Sequence, residues 1–309
     1  MWDIFLQTLP FFMLIGLGYG SGRTGFFSPE ATAYLTKFVF YFALSAMLFR
    51  FAANLSLGEI FDWQFVLAYL SATGAVYLLA TFVALRRKLP VTEAAVEAQC
   101  AVIGNVGFLG IPMLVLLLGE PAVGSVMMVL AVDLIVFGSL IVILITGSRD
   151  GRMSPKILWT VAVGLAKNPM IVSITLGLIV SAFSVPIPRF VNDFLSILGA
   201  AATPGALFAI GASLASKSAE RVAIAGWLSF NKLILHPAAV AVAALFLFDV
   251  DPYAAGVMIA AAALPVAGNV YILAQHYGVA PTRVSASILI STALSVVTVS
   301  LVIAWVTTF

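Results

Sequence analysis

The sequence predicts an all-α integral membrane protein with ten transmembrane helices, arranged as two five-helix repeats of opposite topology. Three observations predict this fold. The 309 residues are 62% hydrophobic and only 9% charged, whereas soluble domains are about 45–50% apolar and about 25% charged. Ten apolar runs are each long enough to cross the roughly 30 Å hydrocarbon core of a bilayer as a helix. The loops between these runs alternate between basic and acidic.

The ten runs are divided by one long connection. They are centred near Phe12, Tyr41, Ala72, Asn105, Leu134, Leu176, Ala202, Ile234, Leu264 and Val296. The first run is expected to be a span, because Asp3 stands where a signal peptide would carry positive charge. Residues 148–168 form the connection, whose second part is expected to be an interfacial helix. The connection separates a first repeat, residues 1–147, from a second, residues 169–309. Since each has an odd number of spans, the two must run in opposite directions.

The loop charges indicate the orientation. Basic residues follow the odd-numbered spans, and they are Arg23, Arg86, Arg87, Lys88, Arg149, Arg152, Lys156, Lys217, Arg221 and Arg283. The alternate loops are mostly acidic and hold Glu59, Asp62, Glu120, Asp193, Asp249 and Asp251, with Arg50 and Arg189 as basic members. By the positive-inside rule the first set of loops is cytoplasmic, so both termini are expected outside.

Composition and motifs exclude several classes of protein. A net charge of +2 is too small, and its basic residues too scattered, for a nucleic-acid surface. A single cysteine, Cys100, excludes an internal disulfide framework, and His236 and His276 are too far apart to indicate a metal site. An intramembrane enzyme is not expected, because H-E-x-x-H, G-x-S-x-G and paired catalytic aspartates are absent. No cofactor is predicted, and without a phosphate-binding loop any energy must come from a gradient or a partner ATPase.

Sequence similarities between the two halves favour an inverted repeat. The stretch "SAMLF" (45–49) in the second span resembles "PGALF" (204–208) in the seventh, and "GNV" occurs at 104–106 and again at 268–270. Each pair occupies the same rank within its half. Inverted repeats are typical of secondary transporters, whose site lies at the repeat interface near the membrane midplane.

The fourth and ninth spans contain residues that interrupt a helix. Pro112 and Pro265 lack the N–H that would bond four residues back, and Asn105 and Asn269 lie close to each proline near mid-membrane. Pro204 and Pro237 also interrupt spans, but a packing kink explains them as well. Non-helical backbone at this depth is tolerated only when it is buried in protein or lines a wet cavity.

A broken membrane helix exposes a new N-terminus that attracts anions. Unsatisfied N–H groups and about half a positive charge of helix dipole face the cavity there. If the two broken helices cross, two such ends converge, and we expect them to bind a carboxylate. The predicted substrate-binding residues are Asn105, Gly107, Pro112, Pro265 and Asn269. The glycines at 104, 107 and 110 would let the backbone approach a ligand, although close helix packing explains them equally well.

Ionisable residues within the spans are candidates for coupling or charge pairing. Asp133 lies midway through the fifth span, where it either carries a coupling proton, since burial favours the neutral carboxyl group, or pairs with a buried cation. Lys232 and His236 are four residues apart and share one face of the eighth span. Three roles stay open for Lys232: pairing with Asp133, neutralising the substrate, or reaching the membrane interface. Glu97 either borders a cytoplasmic vestibule or is simply solvated.

Four stretches carry a family resemblance: "GNVGFLGIP" (104–112), "KNP" (167–169), "PGALFAIGASLA" (204–215) and "ALPVAGNVYILAQHYGVAP" (263–281). Together they resemble the auxin efflux carrier family, which includes plant auxin exporters and bacterial malate or malonate permeases. The resemblance implies ten spans, inverted repeats, crossing of the broken fourth and ninth helices, and transport of small carboxylates. Ser45 departs from the pattern, where a proline mirroring Pro204 is expected, so the second span should bend less than the seventh. The short central connection resembles bacterial members, which implies a bacterial-type inner membrane and argues against auxin.

The leading hypothesis is a secondary carrier of mono- or dicarboxylates that works by alternating access, with proton coupling left open. The alternative within transport is a sodium-coupled organic-anion symporter similar to the bile-acid transporters, in which unwound carbonyls bind sodium. A ligand sensor that retains a carrier fold is a third reading, but no appended soluble domain is expected. The expected partners are a small carboxylate, the lipid bilayer and a coupling proton or sodium ion. The oligomeric state stays open, a homodimer included.

Overall fold

The computed structural model describes residues 2–55, 62–150, 155–216 and 222–308. The regular secondary structure of these residues is helical apart from one isolated β-bridge. The predicted loop charges of Glu59, Arg152, Lys217 and Arg221, and the side chain of Lys156, lie outside the described part. We number the helices α1 (Trp2–Arg23), α2 (Pro29–Ala53), α3 (Trp63–Arg86), α4 (Val91–Val102), α5 (Val106–Leu118), α6 (Ala122–Arg149), α7 (Pro155–Ala166), α8 (Pro169–Ala182), α9 (Arg189–Leu214), α10 (Val222–Leu247), α11 (Pro252–Ala262), α12 (Gly268–Tyr277) and α13 (Pro281–Val306).

Seven of the described helices are long and apolar enough to cross a membrane, namely α1, α2, α3, α6, α9, α10 and α13. The pair α7 and α8, bent by 65°, counts as an eighth if it forms one span. The predicted fourth span is divided into α4 and α5, and the predicted ninth into α11 and α12, so neither is counted among the long helices. The prediction of an all-helical integral membrane protein is confirmed.

The bend between α7 and α8 has a local cause in the "KNP" stretch. The side chain of Asn168 accepts a hydrogen bond from the backbone N–H of Met170 at 2.9 Å, which caps the N-terminus of α8. Pro169 occupies the first position of α8, where its missing N–H costs no helical bond. The chain therefore ends one helix and starts another within a few residues.

The helices pack in two groups. In the first, α1 packs along the second half of α9, while α2 packs on α8 and on the first half of α9. In the second, α3 packs on α4 and α10, and α13 packs on α10, α11 and α12. The helix of α9 is interrupted at Ala201, before Pro204, whereas α2 stays helical through Ser45. A proline in α9 and a serine at the matching place in α2 are expected to produce this difference, because proline interrupts a helix and serine does not.

Glycine allows α1 and α9 to approach closely. A Cβ atom on Gly211 would overlap the carbonyl oxygen of Ile15, and one on Gly18 would overlap that of Phe208. Any side chain at either position would therefore push the two helices apart. These contacts hold the first group together and lie outside the candidate site described below.

Candidate anion site at the paired helix breaks

Two interrupted helices pair with each other through their backbones. The first break, residues 103–105, separates α4 from α5, and the second break, residues 263–267, separates α11 from α12. Gly104 and Val266 form an antiparallel β-bridge. The N–H of Asn105 donates to the carbonyl oxygen of Pro265 at 2.9 Å, and the N–H of Ala267 donates to that of Ile103 at 3.0 Å. Each break thus satisfies backbone groups of the other, as buried backbone requires.

The residue types at the breaks explain this close pairing. Pro265 has no N–H and removes a helical donor from the second break. Gly104 leaves room for its neighbours, because a Cβ atom there would lie 3.2 Å from Nζ of Lys232 and 3.3 Å from the carbonyl oxygen of Ala261. The approach of α4, α10 and α11 at this point therefore depends on the missing side chain.

Two helix N-termini begin directly after the paired backbone. Asn105 precedes α5, its side chain makes no capping bond, and the residue is 6% exposed. Asn269 is the second residue of α12, and its Oδ1 atom is buried without a partner in the described part of the chain. Helix N-termini carry the positive end of the helix dipole and favour anions. The breaks therefore bring together two anion-attracting ends with an amide side chain at each.

Gly107 and Pro112 lie farther along α5. A Cβ atom on Gly107 would overlap the terminal methyl group of Met170 in α8, so the structure places this glycine in a packing contact. The unwound residues are 103–105, and α5 begins with a wide π turn, Val106–Gly110, before Pro112. Pro112 then occupies the first turn of the α-helical part, where its missing N–H is tolerated.

Lys232 is buried beside the breaks and is held by two partners. Its ammonium group donates to the carbonyl oxygen of Ala262, the last residue of α11, and lies 3.1 Å from Nδ1 of His236. A cation at a helix C-terminus is stabilised by the negative end of the dipole. Both Lys232 and His236 are 0% exposed, so Lys232 does not reach the membrane interface. Its place against Gly104 brings a basic side chain directly beside the paired breaks.

The polar cluster around Lys232 continues across α10, α3 and α6. Nε2 of His236 lies 3.0 Å from Oγ1 of Thr73, and one turn earlier on α3 the hydroxyl of Tyr69 donates to Oδ1 of Asp133 at 2.8 Å. Oδ2 of Asp133 has no partner among the described residues. The ion pairs of the described part do not join Asp133 directly to Lys232. Asp133, Lys232 and His236 therefore meet in one cluster, although Asp133 is bonded to Tyr69.

Sequence reasoning missed Tyr69 and Thr73. A usable signal existed, since these two polar side chains lie one turn apart and share a face of the largely apolar α3. The helices carrying Asp133 and Lys232 are also locally widened, with π turns at Asp133–Phe137 in α6 and Asn231–Leu235 in α10. Single π turns inside α-helices occur frequently at functional sites. Similar π turns also occur in α2, in α5 and near the end of α10, so they do not by themselves single out this cluster.

Glu97 lies in an ion-pair cluster near the start of the fourth span. Both of its carboxylate oxygens accept from Arg87, at 2.6 and 2.7 Å, and Oε1 also accepts from Arg283 at 2.7 Å. Arg283 lies 3.0 Å from Glu93 as well. Glu97 is 1% exposed and Arg283 is 6% exposed, so neither is a solvated loop residue. Glu97 is thus a structural ion-pair partner rather than an open vestibule group.

Paired breaks in membrane helices, with polar groups buried beside them, are typical of membrane transporters. A family model described as "Membrane transport protein" matches residues 3–303. The chain therefore belongs to this membrane transport family, which is the auxin efflux carrier family. The resemblance seen in the four sequence stretches is confirmed.

Three relatives align with almost the whole chain. A Rhizobium meliloti protein named "Putative malonate transporter" is 32% identical over 298 residues, which cover 94% of this chain and 92% of the relative. "Uncharacterized transporter YfdV" of Escherichia coli is 28% identical over 300 residues, covering 95% and 94%. "Uncharacterized transporter MJ1031" of Methanocaldococcus jannaschii is 24% identical, covering 94% of each chain. The family and these names indicate a transporter rather than an enzyme.

Proposed function

We propose that this chain is a secondary transporter that carries small organic anions, mono- or dicarboxylates, across the membrane by alternating access. The observation that carries the proposal is the antiparallel pairing of the two breaks, which brings the N-termini of α5 and α12 together. The name of the Rhizobium meliloti relative makes malonate the first dicarboxylate to test. Such a site needs no cofactor, since binding requires only donors and a positive potential.

The proposed topology is ten spans in two inverted repeats, residues 1–147 and 169–309, joined by residues 148–168. The antiparallel direction of the Gly104–Val266 bridge supports opposite topology of the two halves. Exposed Leu158 and Trp159 on α7 support an interfacial helix in the connection, because apolar and aromatic side chains anchor such helices. The loop charges support termini outside a bacterial-type inner membrane.

Within the proposed site, Asn105 and Asn269 supply amide donors to a substrate carboxylate. The N–H groups at the starts of α5 and α12 complete the set of donors. Pro265 shapes the second break, while Gly107 and Pro112 shape α5. The low exposure of Asn105 and the absence of a capping bond from its side chain support this assignment.

Coupling is proposed to involve the cluster of Asp133, Lys232 and His236, with Tyr69 and Thr73. A sodium ion at the breaks would need unwound carbonyl groups as ligands. The carbonyl oxygen of Ala262 at the end of α11 already accepts from the amino group of Lys232. This position favours proton coupling or uniport over sodium coupling. Uptake into proteoliposomes should then be unchanged when sodium is replaced by choline at constant pH. Uptake that requires sodium would instead support the symporter alternative.

The deciding experiment is carboxylate binding by the purified protein, read as thermal stabilisation. A ligand of the folded state stabilises it by RT ln(1 + [L]/Kd). We expect stabilisation by malonate or a related carboxylate, and loss of that stabilisation in Asn105→Ala and Asn269→Ala. Asn54→Ala is the control, because Asn54 is exposed and bonds only within α2. Unchanged binding in Asn105→Ala would remove the site assignment, and no binding by any carboxylate would contradict the anion specificity.

A further inference from the structure

We propose that Ser291 of α13 is a positioning residue for the paired breaks, and that α13 aligns both breaks through Ser291 and Arg283. Ser291 contacts the second break directly, whereas Arg283 contacts α4, the helix that leads into the first break. The consequence for substrate binding rests on the proposed function. The positioning itself can be measured without any substrate.

Ser291 holds the centre of the second break. Its side chain is fully buried, and its Oγ atom accepts a hydrogen bond from the N–H of Val266 at 3.1 Å. The same hydroxyl donates to the carbonyl oxygen of Ile288 within α13 at 3.2 Å. Val266 is the residue that forms the β-bridge with Gly104. Ser291 therefore supplies a buried backbone N–H with its acceptor at the point where the breaks meet.

Arg283 holds the helix before the first break. It lies eight residues before Ser291, about 12 Å along the helix axis. Its guanidinium group contacts Glu97 at 2.7 Å and Glu93 at 3.0 Å, and both acidic residues belong to α4. Since α4 ends directly at the first break, α13 fixes the direction from which the chain reaches Gly104. One continuous helix thus contacts both the second break and the helix that leads into the first.

These contacts act on the candidate site through the backbone. The bonds between the breaks set which residues face each other, but they do not fix the paired segments relative to the other helices. Gly268, the first residue of α12, follows Val266 by two positions. A shift of Val266 would therefore displace the N-terminus of α12 relative to that of α5. Ser291 need not touch the ligand to alter its affinity.

The test compares Ser291→Ala with Ser295→Ala. Ser295 is the matched control, because it lies one turn along α13, is fully buried, and donates only within its own helix, to Thr292 at 2.8 Å. The first readout is amide hydrogen exchange of the segment that contains Val266, without substrate. The second is the dissociation constant for malonate.

We expect Ser291→Ala to speed exchange at Val266 about fivefold and to weaken malonate binding by a similar factor, since one buried hydrogen bond is lost. Ser295→Ala should leave both values near those of the unaltered protein. Equal exchange rates in the two variants would overturn the positioning role. If exchange rises only in Ser291→Ala while the unaltered protein binds no carboxylate, the positioning role is supported and the proposed function is the part that fails.

Discussion

The backbone N–H of Asn105 donates a hydrogen bond to the carbonyl oxygen of Pro265 at 2.9 Å, although the two residues belong to different halves of the chain. An unpaired backbone group costs several kcal/mol in the hydrocarbon core. Neither break could therefore persist without a partner for its exposed groups. The two broken helices form one structural unit, and substitutions that separate them should affect stability and ligand binding together.

Substitution of Gly104 should crowd Lys232 and the end of α11 beside the breaks. In Gly104→Ala the new methyl group would lie 3.2 Å from the ammonium group of Lys232, which is too close for ordinary contact. We expect a destabilisation of about 1–3 kcal/mol, typical of overpacking, together with weaker carboxylate binding. Thermal unfolding in detergent and ligand-induced stabilisation measure the two effects.

Gly268→Ala is the control for this prediction. A Cβ atom on Gly268 would meet no heavy atom within 4 Å. This glycine also starts a broken helix, so the comparison separates crowding from the general loss of a glycine. Equal stability of the two variants would show that the space at Gly104 is not needed.

Tyr69→Phe should weaken the polar cluster. The substitution removes the hydroxyl that donates to Asp133 at 2.8 Å and leaves both carboxyl oxygens without a partner in the described part of the chain. We expect a loss of about 1–3 kcal/mol in the free energy of unfolding and slower transport in proteoliposomes. Tyr77→Phe is the control on the same helix, because its hydroxyl is 3.5 Å from the carbonyl oxygen of Ala95, at the limit of a hydrogen bond. A larger effect in Tyr77→Phe would contradict the assignment.

Glu97→Gln should be much more harmful than Glu93→Gln. Both glutamates pair with Arg283, but the side chain of Glu97 is 1% exposed and that of Glu93 is 31% exposed. Removal of one partner from a buried pair leaves an uncompensated charge and costs about 3–5 kcal/mol. Loss of the Glu93 carboxylate should cost less, because Glu93 is partly exposed and Arg283 keeps Glu97 as a partner. Chemical unfolding of both variants checks the difference, and similar midpoints would argue against a buried role for the cluster.

Gly211→Ala should disrupt the packing of α1 against α9 while leaving the site intact. The added methyl group would overlap the backbone of Ile15, and we expect a cost of about 1–3 kcal/mol or non-folding. Gly16→Ala on α1 meets no neighbour within 4 Å and is the control. Folded Gly211→Ala should keep its carboxylate affinity, and a large loss of affinity would show that this helix pair contributes to binding.

Several features of the candidate site could be predicted because they depend on local chemistry. Pro265 cannot donate a backbone hydrogen bond, and Asn105 is polar within an apolar run, so both mark an interruption wherever the chain folds. Pro112 was less informative, because a proline is tolerated in the first turn of a helix and the unwound residues precede it. Tyr69 and Thr73 were missed because their partners come from other helices.

Burial distinguishes Glu97 and Lys232 from the solvent-exposed charged residues, a difference that composition alone does not show. Glu97 could be read as solvated because it lies near the end of a span, yet two arginines from other parts of the chain enclose it. Lys232 had three open roles, and its burial against Ala262 and His236 speaks only against the role at the membrane interface. Such partners depend on which helices are neighbours, and a single sequence does not encode that information locally.

The amino-acid sequence by itself determined that this is a helical membrane protein with two interrupted helices, because bilayer thickness and backbone hydrogen bonding impose the same demands on every membrane helix. The auxin efflux carrier family was indicated separately, by the resemblance of four sequence stretches. Only the tertiary structure decided that Gly104 pairs with Val266, that Lys232 lies beside this bridge, and that α13 contacts the second break and the helix that leads into the first. The physical reason is that these contacts join residues far apart along the chain, whose proximity is set by the packing of all helices together.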